Sequence, residues 1–389
     1  MESGRIYLDH NATTPLREEV VDSMARVLRD LPGNPSSPHR EGALARRRLG
    51  EAREQVAGCL GVSTRSVVFT AGATEANNLV LRGLLAPAAS GDPSHLVTTT
   101  AEHPSVLAPA EELEKKGVRV SRLSVDQEGL VDRDEWREAL DHAPSLVSLL
   151  WANNETGVVQ PIEEWAEEAA ARGIPFHVDA TQAVGKWPVS LDQTSVNYLS
   201  CSAHKLNGPK GVGCLVLRSG PTPKPLSAGG GQERGLRGGT ENVAGIVGFG
   251  VACQLAQREL TQRMDDYRFL RDRLWAALKQ RLPSIRRNGP DPSAVLPNTL
   301  NVEIPDTAGD VLVEALDLEG VAVSAGAACH SGSVSPSHVL VAMGRSAQQA
   351  QASLRLSVGL GNDAEQMDRA AEWIGLLARR AGAENRDAE

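Results

Sequence analysis

Seven short strand-like runs, several of them apolar almost throughout, alternate with helix-length amphipathic stretches over the first two thirds of this chain, and that alternation leaves few folds open. The runs lie at 67–70, 95–99, 118–125, 146–151, 176–179, 197–200 and 212–217. A strand that is apolar on both faces must be covered on both, which is the condition of a mostly parallel sheet between two layers of helices. Helical patterns at 42–60, 74–85, 104–116, 133–140 and 162–172 supply the covers. Gly117 and Gly173 stop two of them where a left-handed residue is wanted. The expectation is a doubly wound α/β domain that binds its ligand at the carboxyl ends of the strands.

Beyond 241 the pattern changes. A helical stretch runs to about 282, where Pro283 ends it. After a loop at 288–298 rich in proline, asparagine and glycine, strand patterns appear at 299–304 and 354–358, with helical patterns at 309–318 and 364–379. Strands and helices no longer alternate one for one, so a second, smaller α+β domain is expected. The implied division is a large domain over 15–260, a small domain built from 1–14 and 261–380, and a frayed tail at 381–389.

Composition bears on partners. The 40 basic and 49 acidic side chains leave a net charge of −9, the wrong sign for a general nucleic-acid surface, and 3% aromatic residues leave little for base stacking. No apolar run is long enough to span a membrane; the longest, 246–253, is broken by glycines. Met1-Glu2-Ser3-Gly4-Arg5 lacks the basic region and apolar core of a leader. Cys59, Cys201, Cys214, Cys253 and Cys329 form neither a disulfide framework nor a paired zinc spacing, so a cytoplasmic setting and no metal are expected.

Chemistry concentrates where apolar runs end. Ser202-Ala203-His204-Lys205 places one lysine, flanked by a hydroxyl and a histidine, just after a strand pattern. An isolated lysine usually points to water; one at a strand's carboxyl end can instead condense with a carbonyl. Asp179 closes the run at 176–179, a costly place for a carboxylate unless it caps a helix, pairs with a cation or faces a protonated pyridine nitrogen. Thr70-Ala71-Gly72-Ala73-Thr74-Glu75 is a strand, a small-residue turn and a helix opening, able to hold a phosphate dianion on backbone N–H groups or to be an ordinary capped turn. His103 and the amides of Asn153-Asn154-Glu155-Thr156-Gly157 end two further runs. A lysine, an aspartate and a phosphate cradle on one rim describe a pyridoxal 5'-phosphate site.

These segments resemble the pyridoxal-phosphate-dependent cysteine desulfurases and selenocysteine lyases of the class V aminotransferase superfamily, fold type I. So do Tyr7-Leu8-Asp9-His10-Asn11-Ala12-Thr13-Thr14-Pro15, Gly33-Asn34-Pro35-Ser36-Ser37, Gly229-Gly230-Gly231-Gln232-Glu233-Arg234, Arg237-Gly238-Gly239-Thr240-Glu241-Asn242 and Ala325-Gly326-Ala327-Ala328-Cys329-His330-Ser331. The similarity runs nearly end to end in the same motif order. It implies that Lys205 carries the cofactor aldehyde, that Asp179 faces the pyridine nitrogen, and that His103 stacks on the ring. Asn154 and Gln182 then lie near the phenolic oxygen, with Asn154 also near substrate. Ala73, Thr74, Ser202 and His204 hold the phosphate, joined by Thr240 from the second subunit of a homodimer. Arg355 grips the substrate carboxylate, a task its planar fork suits. Ala203 stands where the family usually has glycine.

Cys329 sits among Ser324, Gly326, Ser331, Gly332 and Ser333, a composition expected of a loop. The resemblance makes it the nucleophile that takes sulfur from L-cysteine, leaving L-alanine and a persulfide for an acceptor. Lyase action on L-selenocysteine is the alternative; a transaminase and a non-catalytic scaffold are further ones, neither needing Cys329. The acceptor stays open among an iron–sulfur cluster scaffold, a thiocarboxylate carrier and thiolated tRNA.

Overall fold

The computed structural model describes residues 4–86, 93–325 and 335–387. The central sheet has seven strands: β2 (Val67–Thr70), β3 (His95–Thr99), β4 (Arg119–Leu123), β5 (Leu146–Leu150), β6 (Phe176–Asp179), β7 (Tyr198–Ser202) and β8 (Gly213–Leu217), preceded in the chain by the two-residue β1 (Ile6–Tyr7). Their spatial order is β2-β8-β7-β6-β5-β3-β4. All run parallel except β8, which is antiparallel to both of its neighbours.

Side chains alternate between the faces of this sheet. Val67 and Phe69 join a core formed with α2 (Arg40–Leu60), α5 (Arg133–Asp141), α6 (Ile162–Ala170) and the start of α7 (Val243–Arg281). Val68 faces the other way, onto α3 (Ala73–Leu84) and α4 (Pro104–Lys115). With both faces covered, the inner strands β5, β6 and β7 are buried along their whole length, whereas β4, at the edge, carries two arginines and is buried only at Leu123. Trp136 of α5 stacks on Trp165 of α6 at 5.3 Å between ring centroids. Gly117 (φ 93°) and Gly173 (φ 70°) are left-handed, and in each case the next residue's N–H returns to the preceding helix, Val118 to the Leu113 carbonyl and Ile174 to that of Ala169. The helix over 18–30 is α1 (Glu18–Asp30), packed on α7.

A separate core gathers Ile6, Leu8, Tyr267, Leu274, Leu300, Leu354 and Ile374. It lies under β10 (Thr299–Glu303), β13 (Ser353–Ser357), β9 (Arg286–Arg287) and β12 (Ser324–Ala325), with α8 (Gly309–Leu318) and α11 (Ala364–Asp387) packed on them. β11 (Val321–Ala322) pairs with β1, bringing Ile6 and Leu8 to this core. Two short helices, α9 (His338–Ala342) and α10 (Ala347–Gln351), bury Val339, Leu340 and Ala350 in the larger core instead.

The structure departs from the sequence reading at some element ends. Strand β7 continues past 200 to Ser202, because β8 pairs with it as far as Ser202 opposite Gly213; Ser202 is a strand residue, not a loop residue. Strand β4 ends at Leu123, since Val125 turns to bridge Val131. The final helix passes 379 and runs to Asp387. Helix α7 is one element whose first half serves the large core and whose second half serves the smaller one.

Candidate active site

A cavity of about 1150 Å³ opens at the carboxyl ends of the sheet strands. Ala73, Thr74, His103, Asn154, Asp179, Gln182, Ser202, His204, Lys205 and Arg355 all line it. Thr240 is exposed and does not line it, and Cys329 lies outside the described residues.

The phosphate-type turn is built by close backbone approach. A Cβ placed on Gly213 would meet the Cys201 carbonyl oxygen at 2.4 Å and the Gly72 Cα at 2.8 Å, so glycine is what lets the turn after β2 lie against the end of β7. That contact brings Ser202 within reach of the first turn of α3, where N–H groups have no helical partner. The Ala71 N–H is bonded to Glu75 at 2.7 Å, and Glu75 pairs with Arg237 at 3.2 Å, which ties the 237–241 loop to this turn.

Lys205 follows β7 in a short turn, Ala203–Lys205, and its Nζ donates to the carbonyls of Asn11 and Ala12, each at 2.7 Å. Burial, and then the charge of Arg355, lowers its pKa to about 8. At pH 7 about a tenth of this amine is therefore unprotonated, far more than of a free lysine, and that fraction is the one able to attack an aldehyde. The Ala203 methyl fits because Gly208 faces it: a Cβ at 208 would lie 2.9 Å from that methyl. His204 is pushed down to about 4, by burial first and then by Lys205, Lys210 and Lys186. It is thus neutral, with Nδ1 3.2 Å from the Thr13 hydroxyl.

Asp179, at the end of β6, is 7% exposed and accepts from Asn77 Nδ2 at 2.7 Å and from the Thr181 N–H at 3.0 Å. Opposite it, His103 caps α4, its Nδ1 accepting from the Ser105 N–H at 3.1 Å. Gln182 donates to the Asn11 carbonyl at 2.9 Å. Arg355, on β13, reaches the cavity through Nη2 bonds to Asp9 at 2.7 Å and Ser324 at 3.0 Å and an Nη1 bond to the Asn154 carbonyl at 3.2 Å. Its buried Nε has no partner among the described residues.

Several side chains at the site carried no assigned role in the sequence. Lys186 is fully buried, donates to Gln182 Oε1 at 2.6 Å and Asn11 Oδ1 at 3.3 Å, and has its pKa pushed well down by burial and by Lys205 and Arg355. Glu102 is raised to about 8, mainly by burial, with Oε1 accepting from Thr99 and from the Leu150 N–H. Asn11 and Asp9 lie in a segment quoted only for its resemblance; nothing in their spacing points to partners more than 140 positions away. Cys201, Cys214 and Cys253 are buried and Cys59 is partly so, as packing residues should be. No group of metal-ligating side chains occurs among the described residues, and none of their helices is long and apolar enough to cross a membrane.

The Aminotransferase class-V family matches residues 6–370. The cysteine desulfurase IscS of Dictyoglomus turgidum is 43% identical over 93% of this chain and 92% of its own length. The chain belongs to the cysteine desulfurases of the class-V aminotransferase family. A solved NifS-like protein, 37% identical, superimposes with a TM-score of 0.90 over 97% of this chain and all of its own. A structure described as SspA in complex with cysteine is 35% identical, with a TM-score of 0.77 over 91% of this chain and 99% of its own. The α/β architecture is that of the fold type I enzymes of this family.

Proposed function

We propose that this protein takes sulfur from L-cysteine, releases L-alanine, and holds the sulfur as a persulfide on Cys329 for an acceptor protein. Its support is the Lys205 amine, with pKa lowered to about 8, in a cavity whose other walls carry a buried carboxylate and a guanidinium. The donor set fits pyridoxal phosphate. Ala73, Thr74, Ser202 and His204 would take the phosphate, with Thr240 of a second subunit in a homodimer; Asp179 would face the ring nitrogen, His103 the ring face, and Asn154 and Gln182 the phenolic oxygen. When bound, the cofactor supplies an electron sink that weakens the bonds at the substrate α-carbon.

The chain's own groups do the rest. Arg355 receives the substrate carboxylate, using the Nε left without a partner and exchanging part of its contact with Asp9. The Lys205 amine, freed by the incoming substrate amine, takes the α-proton at Nζ. Cys329 thiolate attacks the substrate sulfur: an S–S bond forms, the C–S bond breaks, and its electron pair returns to the carbon skeleton, which is protonated to alanine. The solved relative described as a complex with cysteine supports that substrate.

The test is mass mapping of thiol-bound sulfur after adding L-cysteine to the purified enzyme. One extra sulfur on the peptide containing Cys329, with alanine released, is expected. Sulfur on another residue, or release from L-selenocysteine alone, overturns the proposal.

A further inference from the structure

We propose that Asn77 is a positioning residue that ties the Asp179 carboxylate to His103 through Ser105, with the ring proton of His103 on Nε2. The inference deepens the function proposed above, on which the cofactor contacts of Asp179 and His103 rest.

Asn77 is fully buried on α3, which packs against both α4 and β6. Its Nδ2 donates to Asp179 Oδ2 at 2.7 Å and to Ser105 Oγ at 2.9 Å, so both amide protons are committed. Ser105 Oγ accepts from Asn77 on one lone pair and lies 2.8 Å from His103 Nδ1, so the state of Nδ1 sets which way the hydroxyl proton points in that contact. The backbone N–H of Ser105, which can only donate, points at Nδ1 at 3.1 Å. Nδ1 accepts it and therefore carries no proton, and the Ser105 hydroxyl is then a second donor to the same lone pair. The ring proton sits on Nε2, and His103 meets a ligand through that atom as a donor.

The position is not explained by stability. Asn77 Oδ1 is buried with no hydrogen-bond partner among the described residues, a desolvated acceptor that an apolar side chain of the same size would avoid. What asparagine adds is the pair of N–H bonds. Asp179 ends a strand and His103 caps a helix, so nothing local fixes one against the other. The amide does, giving the partner of the ring nitrogen and the partner of the ring face one common reference.

The first measurement is the ¹⁵N spectrum of protein labelled at histidine, with His103→Gln to assign the ring. An unprotonated Nδ1 and a protonated Nε2 are expected with and without cofactor; a protonated Nδ1 overturns the inference. The second is a double-mutant cycle. Asn77→Leu and Ser105→Ala should each lower kcat roughly tenfold with KM changed less than about twofold, and the double variant should be no worse than the poorer single. Additive losses, or full kcat in either single, overturn the coupling. Should Asn77→Leu fail to fold, Ser105→Ala, which deletes only a hydroxyl, decides by the same kcat reading. Protein that never takes up pyridoxal phosphate refutes the proposed function instead, and the nitrogen assignment then judges this inference alone.

Discussion

The floor and the wall of the cavity are held in different ways. On the floor, Thr74, Asp179, Ser202 and Lys205 stand at or just beyond strand ends, where the sheet itself fixes where each side chain starts. On the wall, Asn11 and Arg355 are held by contacts between parts of the chain far apart in sequence. Arg355 donates to the Asn154 carbonyl across 201 positions, and the Asn11 carbonyl accepts from Gln182 across 171. The floor is thus set by one sheet, whereas the wall exists only when the smaller core is docked on the larger. A change on the floor should strike the chemistry; a change on the wall should strike the hold on substrate.

The sharpest break between the two comes from removing the amine. Lys205→Ala should lower alanine release by about three orders of magnitude or more, with no cofactor fixed to the chain by borohydride. Turnover within tenfold of the parent would end the assignment of Lys205 to the floor's chemistry. On the wall, Arg355→Lys keeps the charge and loses the fork, so KM should rise roughly tenfold while kcat stays within about threefold. A fall in kcat as large as that of Lys205→Ala would erase the distinction.

The smallest effect concerns stability beneath the floor. Burial raises Glu102 to about 8, against 4.5 for a free glutamate. Between those values the folded state keeps the proton and the unfolded state releases it. This contribution is therefore complete below about 4.5 and is lost as pH rises through 8, at up to roughly 1.4 kcal/mol per unit. Glu102→Gln removes it, so the urea midpoint should fall less between pH 6 and pH 8 in the variant than in the parent. Equal slopes would show that Glu102 does not hold the proton.

What could be read before folding was local. Each of the seven runs holds all or most of a strand of the central sheet, since a run apolar on both faces reports burial on both sides. Gly117 and Gly173 marked their helix ends because a left-handed residue is a property of one position. Asp179 was legible as the polar residue that closes such a run, and Lys205 as the lysine that follows one within five positions. The reversed direction of β8 was not legible, because period and composition do not encode which way a neighbour runs. Strands β1, β9, β11 and β12 have two residues each, too few to show a period.

The amino-acid order by itself determined which stretches must be buried and where reactive groups meet their ends. The tertiary structure alone decided which distant residues complete the site: Asp9 against Arg355, Lys186 beneath Gln182, Asn77 between Asp179 and Ser105. The reason is physical. Periodicity records what each residue needs from its surroundings, whereas a hydrogen bond between residues a hundred positions apart forms only after the sheet has brought both ends to one place.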